Sequence, residues 1–371
     1  MKVPLLDLEP IHRPIRESLN DAFLNILDSN QYIGGPEIEN FEREISTYCG
    51  VKYAVGVSSG TDALLISLMA LNIGPGSEVI VPSYTFFSTA GSVSRVGARP
   101  VFCDIDPITF NIDTDKIEKL ISVNTKAIIP VHLFGQCANM DKIQKIADKY
   151  DLSIIEDAAQ AIGAKYSGKM AGSIGTTGCL SFFPSKNLGG IGDGGLVMTN
   201  NDEMYDLLSS LRQHGAVERY FHKRIGGNFR LDALQAAALR IKLARLDDWL
   251  SMRRSNAKYY QEALKDLENE GSITLPVEST GNFHVYNQFV IRAKDRDGLQ
   301  KHLNKIGIGT AIYYPLPLHM QECFNDCGLK KGALPVSEGA ADETLAIPIF
   351  PGLTGEQKEF VVQGIHEYYG N

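Results

Sequence analysis

The sequence predicts an α/β protein built on a mostly parallel sheet covered on both faces by helices. Short apolar runs recur at 53–57, 78–81, 99–103, 127–131 and 153–155, with helical periodicity between them. The residues just past several runs are small, hydroxylic, aromatic or acidic. Ligands of such sheets bind beyond the carboxyl ends of the strands, so the chemistry is expected there.

Composition narrows the function. The chain has 371 residues, 44% hydrophobic and 22% charged, a soluble globular make-up long enough for two domains or for one large domain with a smaller one. A formal charge of -8 with no Lys/Arg run argues against nucleic acid as a partner. No apolar run is long enough to span a bilayer, and the first residues lack a signal-peptide pattern, so no membrane partner and a cytoplasmic location are expected. Six scattered cysteines suit reduced, buried thiols. His319, Cys323 and Cys327 recur every four residues, but no second pair of soft ligands completes a zinc pattern, so no metal is expected.

In chain order, residues 14–27 carry helical spacing, Gly34-Gly35-Pro36 breaks it, and a second helix follows over roughly 37–49. The first apolar run leads into Ser58-Ser59-Gly60-Thr61-Asp62 and a helix. Free amides, a glycine and hydroxyls at a helix N-terminus make an anion cradle, although an ordinary serine cap reads the same way. Asp62 suits a dianion only if it points away. After the second run comes Pro82-Ser83-Tyr84-Thr85-Phe86-Phe87, where a ring stacks on a planar ligand or packs in the core. After 153–155 stands Glu156-Asp157-Ala158-Ala159-Gln160, with carboxylates that are costly to bury unless cations or donors meet them.

Further on, Phe182-Phe183-Pro184-Ser185-Lys186-Asn187-Leu188-Gly189 sets one lysine between an aromatic run and a glycine-rich loop. Desolvation disfavours the ammonium form and leaves an amine able to condense with a carbonyl; a solvated loop lysine is the alternative. A phosphate cradle, a stacking ring, an acid for a ring nitrogen and an imine-forming lysine together match pyridoxal 5'-phosphate.

Ser59-Gly60-Thr61, Glu156-Asp157-Ala158-Ala159-Gln160 and the segment from Ser181 to Gly189 resemble the DegT family of nucleotide-sugar aminotransferases, over essentially the whole chain. Lys186 lies 29 residues after Asp157 and 5 after Ser181, spacings similar to the family's. The resemblance implies the fold-type I architecture of pyridoxal enzymes. It gives a large domain over 1–245 with a seven-stranded sheet, and a smaller α+β domain over 246–371 on which the N-terminal segment can pack. It also implies a homodimer with shared active sites.

By the same resemblance Lys186 is the Schiff-base lysine and proton shuttle, and Asp157 pairs with the pyridine nitrogen. Gly60, Thr61 and Ser181 bind phosphate, Phe86 stacks on the ring, and Gln160 sits near the ring hydroxyl or its face. Asn228 of Ile225-Gly226-Gly227-Asn228-Phe229-Arg230 reaches across the dimer to the phosphate. Arg230, Tyr314 and His319 are the substrate-binding candidates, and the Tyr-Pro-x-Pro-x-His segment is more similar to that of sugar 3-aminotransferases.

The implied activity moves an amino group from an amino acid, L-glutamate, to a dTDP- or UDP-linked 3-keto sugar. Two alternatives stand beside it. One is a pyridoxal- or pyridoxamine-dependent sugar dehydratase, although relatives of that kind replace the lysine with histidine. The other is a non-catalytic regulatory relative. From pattern alone, the stretch from Leu231 to Leu264 is one long helical connection, followed by a strand at 289–291 and a helix at 297–306.

Overall fold

The computed structural model describes residues 1–370. Seven strands form the main sheet: β1 (Tyr53–Val57), β2 (Glu78–Pro82), β3 (Arg99–Cys103), β4 (Thr125–Ile128), β5 (Ser153–Asp157), β6 (Thr177–Ser181) and β7 (Gly195–Thr199). Their spatial order is β1-β7-β6-β5-β4-β2-β3, and only β7 runs antiparallel to its neighbours. The α/β class and the mostly parallel seven-stranded sheet are therefore as expected.

Register brings three strand ends together. Val57 of β1 and Ser181 of β6 both pair with Gly195 of β7, while Asp157 of β5 pairs with Cys179 of β6. The segments that follow β1, β5 and β6 thus leave the sheet along one edge. Apolar clusters cover the sheet, one joining Val55 and Val79 to the helix Gly60–Ala70 and another joining Leu180 and Leu196 to the helix Pro36–Cys49. A further core gathers Val3 with Tyr260, Phe289, Leu303 and Ile365, so the N-terminus packs among C-terminal elements. Four cysteines, 49, 103, 137 and 179, are buried and all six are free thiols. No helix among the described residues is long and apolar enough to cross a membrane.

Some boundaries differ from the pattern reading. The N-terminal helix runs Arg16–Ser29 after a short turn at Arg13–Ile15. The expected single helix beyond Leu231 is two, Ala233–Leu243 and Leu246–Ala263, jointed at Ala244–Arg245. No glycine or proline marks that joint. Nor does an α-helix join His319 to the two cysteines after it; they sit on separate 3-10 turns, Leu318–Met320 and Glu322–Cys327.

Gly195 is where packing is tightest at this edge: a Cβ there would lie 2.3 Å from the carbonyl carbon of Ser59. The obstacle is backbone, so no rotamer change relieves it. Gly195→Ala should therefore lower unfolding free energy by about 2 kcal/mol or more, read from urea denaturation. Gly355→Ala, at an open helix start, should change it by less than about 0.5 kcal/mol. Equal midpoints for the two variants would contradict this packing.

Candidate active site

Each strand end supplies one part of a cavity of about 480 Å³. Past β1, Ser59 caps the helix Gly60–Ala70: its hydroxyl accepts the amide of Asp62 at 3.0 Å, and its carbonyl accepts that of Ala63. The amides of Gly60 and Thr61 are left without partners among the described residues. They sit at the positive end of the helix, with the Thr61 and Ser88 hydroxyls 2.7 Å apart beside them. Asp62 turns aside, since its carboxylate accepts from Ser58 and Ser59 at 2.7 and 2.9 Å. A Cβ on residue 60 would meet Ser181 Cβ at 2.7 Å, so the glycine is what lets β6 bring Ser181 to the cradle.

The alternation of β5 separates its two carboxylates. Glu156 points to the far face, where it accepts from His132 Nε2 at 2.8 Å and from the amides of Gly172, Ile174 and Gly175. His132 Nδ1 accepts the Ala138 amide, which leaves Nε2 as the protonated, donating nitrogen. Asp157 points into the cavity. It accepts the Thr89 hydroxyl at 2.8 Å and the Ala159 amide at 3.2 Å, and burial raises its pKa against those bonds and against Lys186. A carboxyl so placed gains most from a cationic hydrogen-bond donor.

Lys186 lies beyond β6, in a turn closed by its own amide to Phe183 O at 2.8 Å. Burial lowers its pKa to about 8, and Asp157 opposes the fall. The neutral, nucleophilic amine is therefore available from about pH 8 upward, instead of only near 10.5. The glycine loop behind it is clamped from the helix Ala233–Leu243: Lys242 Nζ donates to Gly189 O at 2.7 Å, and Gln235 accepts the Ile191 amide at 2.8 Å.

Gln160 is held at both ends, accepting from the Phe134 amide at 2.7 Å and donating to Tyr314 Oη at 3.1 Å. Phe86 is 57% exposed and lies 6.2 Å from the Tyr314 ring, leaving an aromatic face open to a planar ligand. Eight of the residues read from the sequence thus share one wall: Gly60, Thr61, Phe86, Asp157, Gln160, Ser181, Lys186 and Tyr314.

Three do not. Asn228 is exposed in a loop bridged to Gln213, and Arg230 bridges Val57, its buried Nε unpartnered. His319 is buried with both ring nitrogens engaged, by Ser83 Oγ at 2.6 Å and Glu338 Oε1 at 3.2 Å. Sequence reasoning missed Thr89, which holds Asp157, and Tyr84. The Tyr84 hydroxyl accepts the Tyr314 amide at 2.9 Å and meets Thr344 Oγ1 at 2.6 Å, seating the segment that carries Tyr314. Thr89 follows Thr85 by four residues, a same-face spacing that the sequence did display.

These residues fit pyridoxal phosphate: unpartnered helix amides for a phosphate, an aromatic face for a ring, a buried carboxyl for a ring nitrogen, and an amine of lowered pKa for an aldehyde. Fold and site together define a fold-type I pyridoxal phosphate-dependent aminotransferase. The chain belongs to the DegT/DnrJ/EryC1/StrS aminotransferase family, whose model matches residues 14–366. It is 46% identical over 369 residues to a pleiotropic regulatory protein of Geobacillus stearothermophilus, covering 100% of this chain and 99% of that one. It is 41% identical over 367 residues to a dTDP-3-amino-3,4,6-trideoxy-alpha-D-glucose transaminase of Streptomyces venezuelae, covering 99% and 96%. Among solved structures it is similar to S. venezuelae DesV in complex with a ketimine intermediate, at a TM-score of 0.97 and 41% identity, covering 100% and 99%.

Covalent attachment of pyridoxal phosphate to the apo-protein, followed by absorbance between pH 6.5 and 10, should rise with a midpoint near about 8. Asp157→Asn removes the charge that supports the ammonium form, so the midpoint should move lower. A midpoint near 10.5 in both proteins would show a solvated lysine.

Proposed function

We propose that this aminotransferase carries an amino group from L-glutamate to C3 of a dTDP- or UDP-linked 3-keto sugar. The observation that carries the reading is the pairing of the Lys186 amine, its pKa lowered by burial to about 8, with the buried carboxyl of Asp157 in one cavity. The transaminase activity of the S. venezuelae relative supports the sugar class. When bound, pyridoxal phosphate supplies a carbonyl for the amine and an electron sink for the carbon that loses its proton.

The chain's own residues do the rest. Gly60 and Thr61 amides with the Ser181 hydroxyl hold the phosphate end, and Phe86 covers the ring face. Asp157, kept in place by Thr89, holds the ring nitrogen in its protonated form. The Lys186 amine takes the proton from the donor's α-carbon and, in the second half-reaction, delivers one to the sugar carbon that receives nitrogen. Gln160 stands beside the ring and holds Tyr314, the substrate candidate that lines the cavity, while Arg230 and His319 lie outside that wall and His319 ties its own segment to the end of β2 through Ser83.

We also take the protein to be a cytoplasmic homodimer, divided near residue 245 into a large and a small domain, with Asn228 serving the partner's phosphate. An arm with exposed Tyr220, Phe221 and Ile225 supports the dimer: they are 79%, 67% and 91% exposed, an apolar patch suited to a second copy.

The regulatory name of the Geobacillus relative favours a second reading, in which cofactor binds without turnover. Mass spectrometry of the protein with pyridoxal phosphate, L-glutamate and a panel of dTDP- and UDP-keto sugars separates the two. An amino sugar is expected, and Lys186→Ala should lower its rate by about 10³-fold or more. A product that loses water without gaining nitrogen would indicate a dehydratase, and cofactor binding with no product would favour regulation.

A further inference from the structure

Lys242, in the last turn of the helix Ala233–Leu243, is 1% exposed and meets no carboxylate among the described residues. Its ammonium donates to Gly189 O at 2.7 Å and to Gly190 O at 3.4 Å. Burial pulls its pKa down to about 8. His12, whose own pKa burial and Lys242 lower, brings no counter-charge. Carbonyl dipoles, of the glycine loop and of the helix end, are what offsets the desolvation of this cation. For stability alone, exchange for methionine is close to even. Methionine fills similar space and avoids the desolvation, while it leaves two buried carbonyls short of a donor.

Those carbonyls lie on the return limb of the loop that presents Lys186. The Gly190 amide donates to Phe182 O at 2.7 Å, and a Cβ on residue 189 would stand 2.3 Å from Pro184 O, so the backbones on either side of Lys186 are pressed together. On the outgoing limb the Lys186 amide donates to Phe183 O at 2.8 Å. Asn187, the next residue, is buried with both side-chain polar atoms unpartnered, so its amide does not tie the loop down. Further along, Asp193 and Gly194 reach the wall of the main cavity. The helix therefore anchors this loop through Lys242 at Gly189 and Gly190 and through Gln235 at Ile191.

We propose that Lys242 is a positioning residue for Lys186: it closes the return limb of the loop and so keeps the Lys186 amine in a fixed direction and out of water. The inference rests on the reading of Lys186 as the amine that binds cofactor and moves protons, but its first test needs neither cofactor nor turnover. The Lys186 titration is set by burial and by Asp157. Removing the charge at 242 leaves Asp157 in place, so a moved titration reports an opened loop.

Apo-protein of the wild type, Lys242→Met and Lys242→Gln, whose amide stops short of the two carbonyls, is treated with an amine-acylating reagent across a pH series. Modification of Lys186 is followed by peptide mass mapping. The wild-type midpoint should fall near about 8, and both variants should move it upward toward 10.5 with Tm within about 4 °C of the wild type. In the loaded enzyme both should lower kcat about tenfold or more in each half-reaction, with KM for either substrate within about threefold. A folded variant with the wild-type Lys186 midpoint would overturn the proposal, as would a change confined to KM. If neither variant folds, Lys242 is a core contact and the proposal falls. If the apo titrations separate as expected while wild-type protein takes up no pyridoxal phosphate at Lys186, the positioning stands and the aminotransferase reading fails.

Discussion

Everything in the site depends on a lysine and an aspartate held out of water in the same cavity. Burial alone would neutralise both, because desolvation lowers the pKa of Lys186 and raises that of Asp157. Each opposes the other's shift, so their protonation states are linked. The consequence is an amine that ionises near about 8 and a carboxyl with most to gain from a cationic donor. Those are the two states that a carbonyl cofactor with a basic ring nitrogen requires of its protein.

The scaffold is organised to keep that pair in place. Antiparallel insertion of β7 between β1 and β6 lets Gly195 oppose both Val57 and Ser181, which aligns the cradle with the strand end that leads to Lys186. Lys242 and Gln235 fix the glycine loop from behind, and Tyr84 ties the end of β2 to the Tyr313-Tyr314 segment opposite. These ties are mostly hydrogen bonds to backbone, so they specify loop paths that apolar packing alone leaves open.

Much of this was legible in the sequence, for reasons that differ by element. The five apolar runs became strands because alternation with helices leaves a parallel strand buried on both faces. Thr177–Ser181 and Gly195–Thr199 were harder to see, since small and glycine residues weaken the apolar signal. Lys186 and Asp157 stood out because a lysine before a glycine loop and an acid at a strand end are locally unusual. His319 did not reveal its surroundings, because Ser83 and Glu338 are remote in sequence or on another element. Lys242 was silent for a related reason: its partners are carbonyls, which no side-chain pattern records.

Borohydride reduction of the protein loaded with pyridoxal phosphate, followed by peptide mapping, tests the central claim most directly. The account predicts a single pyridoxyl label on Lys186, absent when residue 186 is alanine. A label on Lys242 or any other lysine, or no label at all, would contradict it.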